Sequence, residues 1–156
     1  MFVGNGFDIH KHSKGENLIL GGIRVDGDGF EAHSDGDIVL HSLCDALLGS
    51  KAKKDLGYYF PSDETTPKGI SSVDMLNKVL EIIEIDKLKI NNVDITVLSQ
   101  VINISKISDN ICSNLANLLN VDKNVINVKG KSFDHLGVIG DGTASASMAL
   151  VSVDNA

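Results

Sequence analysis

Apolar residues recur along this chain at two spacings, and the switches between them mark out its elements. Phe2 to His10 alternates as a strand does, and Lys11 to Asn17 is polar enough to predict a loop. Leu18-Ile19-Leu20 and Ile23-Arg24-Val25 bracket Gly21-Gly22, a hairpin signal, and Asp26 to Glu31 predicts a second turn. Leu40, Leu43, Leu47 and Leu48 then fall at helical spacing. Gly36 permits a turn ahead of that helix, Asp35 or Asp37 supplies its cap, and the pattern runs to about Lys54. Asp55 to Pro67 is irregular and reads as a lid between ordered elements. Ser71-x-x-Asp74 resembles a capping box opening a helix striped by Val73, Leu76, Val79, Leu80 and Ile83. A strand over Val93 to Val101 follows, then a helix from Ser105 or Ser108 buried through Ile111, Leu115, Leu118 and Leu119. Val125 to Lys131 and Ala144 to Val153 complete the set as strands. The order predicts an α/β sandwich over residues 1–156, a single domain with one mixed sheet and helices on one face.

Charge narrows the partners. A net charge of −7 argues against a nucleic-acid or anionic-membrane surface, and no apolar run has the length of a membrane span. Cys44 and Cys112 both sit on apolar helix faces, which predicts reduced core thiols and a cytoplasmic protein. Met1 stands so close to the first motif that no leader is expected. Arg24 is the only arginine, so an anionic substrate must be held by metal ions, backbone N–H groups and lysines.

The chemistry gathers in two stretches. In Gly4-Asn5-Gly6-Phe7-Asp8-Ile9-His10, a strand places Asp8 and His10 on one face. In His33-Ser34-Asp35-Gly36-Asp37, a tight turn runs into the helix that carries His41 in its first turn. Asp8, His10 and His41 make three ligands of the kind zinc takes, with a fourth position left for substrate. Asp45, one turn beyond His41, is placed to orient that imidazole or to stand in solvent. His12 has no motif support and reads as a surface residue. His33 and Ser34, in a turn at a helix N-terminus, sit where N–H donors meet a phosphate.

Gly4-x-Gly6-Phe7-Asp8-x-His10, Gly21-Gly22 and His33-Ser34-Asp35-Gly36-Asp37-x-x-x-His41 together resemble the 2-C-methyl-D-erythritol 2,4-cyclodiphosphate synthase family. The similarity runs on through Asp55-Leu56-Gly57, Phe60-Pro61, Asn92 to Thr96 and His135-Leu136-Gly137. The resemblance implies a ferredoxin-like subunit in a homotrimer with active sites at subunit interfaces. It further implies cyclisation of 4-diphosphocytidyl-2-C-methyl-D-erythritol 2-phosphate, with release of CMP, in non-mevalonate isoprenoid precursor biosynthesis. Zn²⁺ on Asp8, His10 and His41 is implied, with Mg²⁺ or Mn²⁺ at Asp134 bridging the diphosphate of the cytidine diphosphate substrate. Substrate contacts are implied for Asp8, Ile9, His10, His33, Ser34, Asp55, Leu56, Gly57, Phe60, Asp63, Glu64, Ser99, Asn103, Lys131, Ser132, Phe133 and Asp134. His33 and Ser132 take the catalytic roles.

Departures from the family pattern are as informative. Ser99 to Ser105 stands where the family has its cytosine pocket and keeps Gln100, but Ile102-Asn103 replaces a Pro-Lys pair. Asp134 replaces a longer Glu, and Lys131 replaces a Thr, adding positive charge beside the phosphates. Asp141 stands where relatives carry an arginine facing a cavity on the three-fold axis, which predicts that this cavity rejects isoprenoid diphosphates. Two rival readings are a metal-dependent phosphoesterase, which would activate water on the same ligands, and a decayed, non-catalytic trimer.

Overall fold

The computed structural model describes residues 1–156, and their polar and apolar pattern resolves into five strands and five helices. The elements are β1 (Phe2–Leu20), β2 (Ile23–Phe30), α1 (Ile38–Ser50), α2 (Leu56–Tyr59), α3 (Ser72–Ile82), β3 (Leu88–Leu98), α4 (Ser108–Leu119), β4 (Ile126–Lys131), α5 (Gly137–Gly140) and β5 (Ala144–Asn155). The sheet is mixed, in the order β2-β1-β5-β3-β4, antiparallel throughout except for the parallel β3–β4 pair.

Strand alternation sends Ile90, Val93, Ile95, Val97, Ile126, Val128, Val151 and Val153 into one core beneath the helices. α1 forms its centre, since every residue from Ile38 to Leu48 except Asp45 is buried. The opposite face of the sheet is covered by helix only at one corner, where Ile139 of α5 packs on Leu98 and Ala146. Phe7, Ile9, Met148 and Leu150 lie on it 42–52% exposed, and the register pairs Phe7 with Met148 across β1 and β5.

Several sequence expectations shift. Lys11 to Asn17 and Asp26 to Glu31 were expected as loop and turn, yet β1 is one strand of 19 residues and β2 runs to Phe30. β1 changes partner midway, pairing with β5 up to Lys11 and with β2 from His12, with register shifts between His12 and Leu18. Those irregularities absorb the polar stretch that hides the strand in the sequence. α1 ends at Ser50, short of Lys54, and the strand expected at Val93 to Val101 covers Leu88–Leu98. α4 begins at Ser108, and Cys44 and Cys112 are free and buried, as their helical faces predict. No helix is long and apolar enough to cross a membrane.

Candidate active site

The first glycines of β1 determine where the chemistry falls. A Cβ on Gly4 would lie 1.9 Å from the Ala46 carbonyl oxygen, and one on Gly6 2.0 Å from that of Ser42. The backbone of α1 therefore rests directly on β1, a contact only glycine allows. Two residues further along the same face come Asp8 and His10, and one turn back along α1 comes His41. Asp8 Oδ2 lies 3.0 Å from His41 Nδ1 and 3.1 Å from His10 Nε2, and the two ring nitrogens are 3.3 Å apart. A tetrahedral ion with metal–nitrogen bonds near 2.05 Å needs ligand atoms about 3.3 Å apart, so this triangle fits one with little movement. The donor set, two imidazoles and a carboxylate, suits zinc.

His41 is held from behind, through its helix and through its ring. Asp37 caps α1, its Oδ1 accepting the N–H groups of Val39 (3.1 Å) and Leu40 (3.0 Å). The same carboxylate accepts Gly21 N–H at 2.9 Å and Gly22 N–H at 2.7 Å, which ties the hairpin turn to the helix start. Burial raises its pKa to about 6 against the pull of those N–H groups. Gly36, at φ 77°, turns the chain ahead of the cap. On the far side of His41, Nε2 lies 2.9 Å from Ser72 Oγ, and Ser72 Oγ–H donates to Asp35. Since Ser72 spends its hydrogen on Asp35, its oxygen receives Nε2–H, and Nδ1 is the nitrogen turned to Asp8 and His10, donating its N–H to Asp8 without metal and offering its lone pair once a metal displaces that proton. Ser34 Oγ also approaches Nε2, at 3.1 Å. Asp45 takes no part in this: its Oδ1 accepts Leu56 N–H at 2.7 Å and fixes the start of α2.

The electrostatics follow. Burial alone would raise the pKa of Asp8, but hydrogen bonds from His10 and His41 and their charges outweigh it and hold it far below the usual carboxylate range. Burial disfavours the His41 cation, yet the hydrogen bond and charge of Asp8, with Asp37 and Asp35 behind, raise its pKa. Metal-free, the cluster is a buried ion pair; with metal, the cation replaces the proton.

A cavity of about 220 Å³ opens over this cluster, lined among others by His33, Ser34, Leu56, Gly57, Phe60 and Thr66. His33 Nε2–H donates to the Thr66 carbonyl at 2.8 Å, and Gly69 N–H to the His33 carbonyl at 2.7 Å. The segment expected as a lid thus contains α2 and is pinned at both ends, by Asp45 and by His33. Asp55, Asp63 and Glu64 lie outside the lining, Asp63 accepting Thr65 N–H at 2.8 Å within its own turn. Ile9 projects from the open face of the sheet.

Of the remaining predicted residues, Ser99, Asn103, Lys131 and Ser132 line a second, separate concavity of about 350 Å³, where Ser99 to Ser105 faces Gly130, Lys131 and Ser132, and Phe133 and Asp134 follow outside the lining. Ser99 and Asn103 belong to its wall, and Gln100 Oε1 accepts Phe133 N–H at 3.3 Å. Asp134 has left-handed backbone (φ 48°), a conformation that short polar side chains tolerate best, and Ser132 Oγ–H points at its Oδ1 from 3.5 Å. Lys129 is occupied by Asp94 at 2.5 Å, which leaves Lys131 as the free cation of this wall. β5 and β3 separate β1 from β4, so the two concavities stand about 14 Å apart across the sheet. Sequence reasoning missed Ser72 and Thr66, both joined to the site by long-range hydrogen bonds.

Comparison with known proteins agrees with this geometry. The YgbB family model matches residues 1–154. The chain is 37% identical over 152 residues to a 2-C-methyl-D-erythritol 2,4-cyclodiphosphate synthase of Halothermothrix orenii, covering 97% of this chain and 92% of that one. Among solved structures, the Plasmodium falciparum IspF CDP complex superposes with a TM-score of 0.85 at 36% identity, over 99% of this chain and 96% of that one. The bifunctional IspDF of Campylobacter jejuni gives a TM-score of 0.93 at 32% identity, over 99% of this chain but 42% of its own length.

Proposed function

Since this chain belongs to the YgbB family of 2-C-methyl-D-erythritol 2,4-cyclodiphosphate synthases, and converts the diphosphocytidyl methylerythritol phosphate to the cyclic diphosphate with release of CMP, we propose how its residues divide that work. The single observation that carries the proposal is the separation of two half-sites in one chain. The cavity over Asp8, His10 and His41 receives the methylerythritol phosphate, and the Ser99–Ser105 wall of a neighbouring copy receives the cytidine. An active site at a subunit interface of a homotrimer follows, and the exposed sheet face carrying Phe7, Ile9, Met148 and Leu150 gives the copies an apolar surface to share. Residues 1–156 act as one ferredoxin-like, cytoplasmic domain in this reading.

The reaction joins a 2-phosphate oxygen to the β-phosphorus and breaks the bond from that phosphorus to the bridging oxygen, which leaves with CMP. The nucleophile is already ionised, so positioning and charge neutralisation supply the catalysis. Zn²⁺ held by Asp8, His10 and His41 would polarise a phosphoryl oxygen, and Mg²⁺ or Mn²⁺ at Asp134 would spread charge over the diphosphate. Asp134 is a single exposed carboxylate, which is what a hydrated Mg²⁺ shared with substrate phosphates requires. His33, anchored on Thr66, and Ser34 hold the methylerythritol phosphate in a bent shape, and Leu56, Gly57 and Phe60 shape the cavity around its hydroxyls. Asp55, Asp63 and Glu64 reach the substrate from outside this lining, and Ile9 through its backbone between Asp8 and His10. Ser132, Lys131 and the Phe133 backbone grip the diphosphate from the other side, and Ser99 and Asn103 the cytidine phosphate.

Product analysis by ³¹P NMR with the diphosphocytidyl substrate, Zn²⁺ and Mg²⁺ tests this reading. Cyclic diphosphate and CMP are expected. Orthophosphate would point to the phosphoesterase, no turnover to a decayed homologue, and a monomer by sedimentation equilibrium would overturn the interface site.

A further inference from the structure

A histidine with no motif to explain it lies at the point where β1 changes partner. His12 Nδ1–H donates to the Asp28 carbonyl at 3.0 Å, and its ring stacks on Phe30 at 4.6 Å between centroids. Those two contacts fix the ring and aim Nε2 at Ser145 Oγ, 2.8 Å away. Ser145 is wholly buried in β5 and donates to Ser99 Oγ at 2.8 Å. Ser99 closes the chain by accepting Val101 N–H at 3.2 Å and Ile102 N–H at 3.1 Å. A run of hydrogen bonds thus crosses from β1 through the buried side of the sheet to the loop after β3.

A buried hydroxyl costs free energy unless its partners are in place, so Ser145 holds its neighbours as firmly as they hold it. What it holds is the turn of the nucleotide wall. The Ser99–Asn103 segment contains no proline and Val101 is 60% exposed, so packing restrains its turn only through Ile102, which rests on the core. Its conformation depends on Ser99 Oγ receiving two backbone N–H groups, and that oxygen is placed by Ser145. We propose that His12 and Ser145 are positioning residues for nucleotide binding, which hold the Ser99–Asn103 loop in the shape that receives the cytidine phosphate. The proposal rests on the nucleotide reading of that wall.

His12→Phe keeps the stacking on Phe30 and deletes both polar atoms, His12→Gln restores one at similar reach, and Ser145→Ala cuts the chain in the middle. Calorimetric titration of the zinc-loaded protein with CDP, steady-state kinetics and hydrogen exchange read the outcome. Loss of one such bond should weaken CDP about five- to tenfold in His12→Phe and Ser145→Ala. KM should rise by the same factor with kcat and zinc content held, and the Val101 and Ile102 amides should exchange faster. His12→Gln should recover most of the affinity. CDP binding by the unaltered protein with equal affinity in both variants overturns the proposal alone, as does faster amide exchange with unchanged affinity. No CDP binding by the unaltered protein overturns the nucleotide reading and the proposal with it.

Discussion

The two half-sites are built by different means. The metal corner stands on a strand and a helix whose backbones touch at Gly4 and Gly6, its three ligands contact one another, and His41 is backed by Ser72. The nucleotide wall is made of chain that has just left the sheet, and its side chains bond mainly within their own turns or across one gap. Geometry that must hold to a few tenths of an ångström has been placed on rigid elements. In the proposed reading, geometry that must admit and release a nucleotide has been placed on loops.

Breaking the rigid half should give the largest effects. His41→Ala removes one of three ligands and should lower zinc affinity by more than about a hundredfold, beyond what a supporting residue costs, while the circular dichroism of the fold persists. Full zinc content by elemental analysis would contradict the ligand set. Gly6→Ala drives a methyl group into the Ser42 carbonyl and should cost about 1–3 kcal/mol in urea unfolding. Because α1 must then lift from β1, zinc affinity should fall as well, so a loss of stability with unchanged zinc binding would separate the helix contact from the site. Ser72→Ala leaves all three ligands but frees the far side of His41, and should weaken zinc about ten- to a hundredfold in a chelator competition.

The loop half should respond differently. Lys131→Ala should raise KM about fivefold and leave the unfolding midpoint and zinc content unchanged, since its side chain stands in solvent. A destabilised variant would show that this wall is as rigid as the other. The smallest effect is one of pH on the metal-free protein. The lowered pKa of Asp8 contributes stability above its ordinary 3.8, lost as pH falls. The raised pKa of His41 contributes stability fully present below 6.5 and lost as pH rises through its higher folded value. Urea midpoints of metal-free protein should therefore decline on going from pH about 6 to about 8, and those of zinc-loaded protein should not. Equal declines would remove the ion pair from the account.

The metal corner was also the more legible half. Strand alternation puts Asp8 and His10 on one face, helical spacing puts His41 in the first turn of α1, the family motif joins the three, and the α1 stripe predicts its burial. The supports were not legible, because Ser72 lies 31 residues from His41 and Ser145 lies 133 from His12. No local spacing announces such pairs. Asp45 misled for the related reason that a position one turn from a histidine says nothing of Leu56 N–H, which claims it. Lys11 to Asn17 misled because polar residues in an edge-paired, bulged strand lose the alternation that marks strands elsewhere.

The position of β5 has one more consequence, for the order in which the molecule is assembled. It is the last strand in the chain and the middle one in the sheet, with β1 on one side and β3 on the other. A chain still being synthesised has both neighbours before it has the strand that joins them, so the sheet closes only by late insertion at its centre. Contacts of such long sequence separation are slow to form, since the entropy of closing a long loop is spent before any pairing is gained. Asp8, His10 and His41 have all been made by then, while the path from His12 to the nucleotide loop still lacks Ser145. Asp8 and His10, however, stand on the half of β1 that pairs only with β5, so both concavities take their final shape when that one strand is in place.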